Sequence, residues 1–125
     1  MTNRRTRPSV ERDERRENLL RPSRHLGYDR DAIAMHLMGR EAFTIAEPQF
    51  RRAVWLNPYE PLFKAHLAWC LFRQHRYAEA LPIIKEAIAQ QPEAPRFKEL
   101  QRLIESRIKA STSTKQPGYY PDRLL

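Results

Sequence analysis

The chain has 125 residues, of which 41% are hydrophobic and 30% charged, with ten prolines, three glycines and a net charge of +8. That length and a mean hydropathy of -0.76 allow one small core with polar ends, and no run approaches the roughly 18 apolar residues of a membrane span. MTNRRTRPSV has no apolar segment behind its arginines, so it does not read as a secretory signal, and the single Cys70 excludes an intramolecular disulfide framework; the default expectation is a cytoplasmic protein.

Charge is unevenly spread. Residues 1–26 hold eight basic against four acidic groups, residues 27–94 eight against eight, and residues 95–125 seven against three. A neutral centre with two basic ends assigns the excess charge to appendages rather than to the fold.

In chain order, residues 1–8 show no periodicity. Ser9 can cap a short helix that Pro22 ends. Glu11, Asp13 and Glu14 fall in its first turns, where the helix dipole favours anions, and Glu11 stands four residues before Arg15. Only Val10, Leu19 and Leu20 are apolar there, so this helix needs something to hold it. Residues 1–26 are thus an arginine-rich arm, with Arg4, Arg5, Arg7, Arg15 and Arg16 as its candidate contacts to an acidic or phosphate-bearing partner.

Helical patterns follow at Tyr28–Arg40, Ala42–Leu56, Pro61–Gln74 and Tyr77–Gln90. They form two copies of one unit. Shifting the sequence by 34 residues superimposes Ile33 on Leu67, Ala34 on Ala68, Leu37 on Leu71, Phe43 on Tyr77, Ala46 on Ala80, Phe50 on Ile84, Ala53 on Ala87 and Pro58 on Pro92. Small alanines let backbones approach and the larger partners fill the space beside them. Pro58 and Pro92 stop each second helix, whereas Pro48 and Pro82 stand early in it, where a missing amide hydrogen costs least.

Period, alanines, aromatic at the inter-helix turn and terminal proline together resemble the tetratricopeptide repeat family, over residues 27–94. Both copies depart from it at one position, where Arg30 and Lys64 replace a large apolar residue. The resemblance implies an all-α fold, a short solenoid of two helix-turn-helix repeats. A helix at residues 95–109, with an apolar stripe of Phe97, Leu100, Ile104 and Ile108, caps it, because Gln101 and Arg102 stand where a third repeat needs Leu67 and Ala68. Residues 110–125 read as a Ser/Thr linker and an extended tail carrying Tyr119 and Tyr120.

First helices of that family line a concave groove that receives peptides. By register the resemblance places Tyr28, Asp31, Met35 and Met38, then Leu62, Ala65, His66, Trp69 and Phe72, along it. Such a surface, soft and apolar, suits an amphipathic helix or an extended apolar segment. The family's carboxylate clamp is not carried over, because Asp31, Met35 and His66 occupy that face. Trp55, at the end of a second helix where the other copy has Ala89, is a further contact candidate, as are Tyr119 and Tyr120.

Catalysis finds no motif. Gly27, Gly39 and Gly118 make no phosphate-cradling loop, His66 and Cys70 are two potential ligands where a metal needs more, and Cys70 has no evident base. The expectation is a non-enzymatic adaptor or accessory subunit of a multiprotein complex, without metal or cofactor. Two alternatives stand beside it: an RNA-, DNA- or anionic-surface-associated protein using its arginine-rich ends, and an assembly chaperone shielding an amphipathic client segment.

Overall fold

The structure is a computed structural model that describes residues 26–114. The helix expected from Ser9, the arginines of the arm, and Tyr119 and Tyr120 lie outside the described residues. Five helices and no strand occur among the described residues: α1 (Tyr28–Gly39), α2 (Phe43–Leu56), α3 (Pro61–Arg73), α4 (Tyr77–Gln90) and α5 (Pro95–Thr114). The result is an all-α, tetratricopeptide-like solenoid of two helical hairpins closed by a last helix.

The 34-residue period returns in the backbone. Glu41 and His75, one period apart, both take a left-handed conformation, with φ of 60° and 62°. Each sits in the tight turn after a first helix, where Ala42 N–H donates to Leu37 O and Arg76 N–H to Leu71 O, both at 2.9 Å. These bonds satisfy carbonyls that a helix end leaves open, and the short turn folds the second helix back beside the first. Helix α3 is started differently. Glu60 caps it by accepting from Leu62 N–H at 3.2 Å, and Pro61 occupies the first turn, where no amide donor is needed.

Pro48 and Pro82 lie inside α2 and α4. Each deprives the carbonyl four residues earlier of its donor, but Thr44 and Ala78 are exposed, so water can take the bond. The helices therefore continue through their prolines.

Alanine marks the closest approaches. Ala34, Ala46, Ala53, Ala68, Ala80 and Ala87 are fully buried, beside the equally buried Phe50, Leu71 and Ile84. Each of those three larger side chains contributes roughly 1.5–3 kcal/mol by leaving water. Gly27 fits the same crowded seam in another way: its φ is +94°, and a Cβ there would stand 2.8 Å from Phe63 Cε2 and 2.9 Å from Ala53 O. Only glycine meets both conditions.

Arg30 and Lys64, the two departures from the family pattern, are met by polar partners on the second helices. Arg30 Nη1 donates to Gln49 Oε1 at 3.3 Å, and Lys64 Nζ lies 3.5 Å from Glu86 Oε1. The last helix packs Phe97, Leu100, Ile104 and Ile108 on the core, as its stripe requires. It continues past Lys109 to Thr114, because nothing in Ala110–Thr114 breaks it and Thr112 Oγ1–H donates to Ile108 O at 3.0 Å within the same helix.

Candidate functional site

The first helices α1 and α3, with α5 in the same place after them, present the surface on which the candidate residues fall. Its N-terminal corner is polar at the edge and aromatic beneath. Tyr28, 48% exposed, stacks edge-on against buried Phe63 at 4.9 Å and donates its hydroxyl to Glu60 Oε1 at 2.6 Å. That hydrogen bond raises the Tyr28 pKa above its ordinary value, with burial and the charges of Glu60 and Asp31 adding to it. The ring is thereby fixed across the junction between the two repeats.

Asp31 and His66 join the repeats beneath this corner. Asp31 is buried, His66 half-buried, and His66 Nδ1–H donates to Asp31 Oδ1 at 2.7 Å. The His66 ring also lies 5.8 Å from that of Phe50. A partner meets a satisfied pair here rather than a free carboxylate.

Further along, Met35, Trp69 and Phe72 are half-buried against the core, while Leu62 is 40% exposed on the rim. Met38 and Ala65 are buried, so they support the surface from below. Phe72 is held by Tyr77, 5.5 Å away between centroids, and by the Arg107 guanidinium at 5.6 Å over its ring.

Arg107 belongs to α5, and so does a residue that sequence reasoning missed. Leu103 is 45% exposed and stands one period after Trp69, which itself stands one period after Met35. Carrying the 34-residue shift one step further would have found it. The mismatch at Gln101 and Arg102 concealed it: Arg102 is exposed at the register position where Ala34 and Ala68 are fully buried.

Other candidates fall elsewhere. Trp55 is 47% exposed on α2, with the Arg52 guanidinium 5.0 Å from its ring centroid. Cys70 is buried, donates its thiol to Phe43 O at 3.3 Å, and burial pushes its pKa up, the reverse of what a nucleophilic thiolate requires. Behind it, Glu47 accepts from Gln74, Arg51 and Arg76. Burial alone would raise the Glu47 pKa, but these donors outweigh it and hold the carboxyl below the usual range. Among the described residues no three His, Cys, Asp or Glu side chains group as metal ligands, and no helix is long and apolar enough to cross a membrane.

Met35, Trp69 and Leu103 thus occupy one register position on the alternate helices α1, α3 and α5, with the Tyr28–Glu60 hydrogen bond near the start of α1 and α3. A family model described as a tetratricopeptide repeat matches residues 37–104, more than half of the chain. No curated protein and no solved structure matches it. Repeats of this kind generally mediate protein–protein interaction. With the period, the paired left-handed turns and the matched span in agreement, the chain belongs to the tetratricopeptide repeat family.

Proposed function

We propose that this chain is a non-enzymatic adaptor or accessory subunit of a multiprotein complex, holding an amphipathic helix or extended apolar segment of another protein along α1, α3 and α5. The observation that carries the reading is the row Met35, Trp69 and Leu103, one residue from each helix at one register position, with Leu62 and Phe72 beside it. Methionine, aromatic and leucine side chains there can repack around a guest, and burying two or three of them contributes several kcal/mol before the cost of association. A buried free thiol at Cys70 supports work in a reducing compartment such as the cytoplasm.

The test is binding of the full chain to its recovered partner as a function of salt and of groove substitutions. Trp69→Ala should weaken binding at least tenfold, with little dependence on ionic strength. Binding that falls steeply with salt, and survives Trp69→Ala but not neutralisation of Arg4, Arg5, Arg7, Arg15 and Arg16, would assign the function to the arginine arm and nucleic acid instead.

A further inference from the structure

Positive charge follows the same period as the apolar row. One turn beyond Trp69 on α3 stands Arg73, and one turn beyond Leu103 on α5 stands Arg107, 34 residues later. Both are exposed. They lie toward the ends of their helices, away from the polar corner that Tyr28 and Glu60 make near the start of α1 and α3. In α1 the equivalent position is Gly39, where a Cβ would meet nothing within 4 Å.

Aromatic rings hold both guanidinium groups. Arg73 lies 4.9 Å from the centroid of Phe43, the first residue of α2, and Arg107 lies 5.6 Å from that of Phe72, the residue before Arg73. Arg107 therefore reaches from α5 onto the end of α3, which brings the two arginines to one place. A ring attracts a guanidinium but takes none of its N–H donors, so those still require acceptors.

Among the described residues neither group has one. The arginines that do bond are Arg30, Arg51 and Arg76. At this end of α3 the carboxylates of Glu47 and Glu79 both accept from Arg76. Arg73 and Arg107 are thus two forked donors, one turn from an apolar row, without an acceptor of their own. A carboxylate fits such a fork through two parallel hydrogen bonds. The setting favours carboxylate over phosphate, because a guest that reaches these arginines also meets Trp69 and Leu103, and a polypeptide carries apolar side chains beside its acids.

We infer that the segment held along α1, α3 and α5 is acidic on one side: an amphipathic polypeptide whose apolar residues cover Trp69 and Leu103 while its Asp or Glu side chains bond to Arg73 and Arg107. The inference rests on the groove reading and adds the chemistry of the guest.

Selection of a random peptide library on the immobilised full chain tests it. The peptides recovered should combine apolar anchors with Asp or Glu. A recovered peptide should bind the Arg73→Gln, Arg107→Gln chain at least tenfold more weakly. Exchanging its acids for amides should cost as much, and the two changes together no more than either alone. Arg52→Gln with Arg102→Gln should leave binding unchanged. Trp69→Ala should weaken the peptide with or without its acids, and circular dichroism equal to the parent's in every variant separates lost binding from lost fold. Peptides without acidic enrichment, acid-dependent binding that survives Arg73→Gln with Arg107→Gln, an equal loss from Arg52→Gln with Arg102→Gln, or a single-stranded oligonucleotide that displaces the peptide through the same two arginines would each overturn the inference and leave the groove standing. Peptides that need Arg73 and Arg107 but are indifferent to Trp69→Ala would overturn the groove reading instead.

Discussion

His66 on α3 reaches back across the repeat boundary to Asp31 on α1, with 2.7 Å between Nδ1 and Oδ1, and this bond ties together two of the three helices along the proposed groove. Both groups are mostly shielded from water, so removing one leaves the other without its partner. Asp31→Ala and His66→Ala should each cost about 1–3 kcal/mol, and the double variant less than their sum, with a coupling of about 1 kcal/mol. Urea unfolding of the four proteins measures it; additive costs would show that the pair contributes nothing jointly.

Two glycines should respond in opposite directions to the same substitution. Gly27→Ala forces a Cβ against Phe63 and Ala53 O at a left-handed φ, and should lower stability by at least about 2 kcal/mol. Gly39, at the end of α1, has nothing within 4 Å of a Cβ, so Gly39→Ala should raise stability by about 0.5–1 kcal/mol. Thermal melts of both variants decide the matter, and a Gly39→Ala protein that melts lower than the parent would contradict the reading.

Acid should release the contribution of Glu47. Its carboxyl pKa is lower folded than unfolded, so its stabilisation is complete above the unfolded value of about 4.3 and disappears as pH falls through the still lower folded value. The gap in stability between parent and Glu47→Gln should be about 1 kcal/mol at neutral pH, constant down to the unfolded pKa, and should close below it. Denaturant curves taken from pH 7 to pH 3 follow the gap. A difference that persists unchanged at the acid end would mean that the charge on Glu47 is irrelevant to folding.

Much of this was legible in the sequence because one period fixed several things together. Matching Ile33 to Leu67 and Ala46 to Ala80 established which helices exist and which faces meet, and the four helices of the two repeats end within a residue of their expected bounds. Exposure was harder to read. Met38 and Leu62 both belong by register to the first-helix surface, yet Met38 is buried and Leu62 is on the rim, a difference set by packing depth. The His66–Asp31 bond joins residues 35 apart in the chain, and nothing local announces it. Helix α5 looked unlike a repeat at Gln101 and Arg102, but its Leu103 stands at the register position of Met35 and Trp69 and is 45% exposed, whereas Arg102, at the position of buried Ala34 and Ala68, is exposed and free to be charged.

The most direct test of the central claim places a photoreactive side chain at single positions of the full chain in its native cellular background. From Trp69 or Leu103 the account predicts a covalent adduct to one partner polypeptide, mapped to an amphipathic or apolar segment, and no such adduct from the exposed Lys85 on α4. An adduct that forms from Lys85 and not from Trp69 or Leu103 would contradict it.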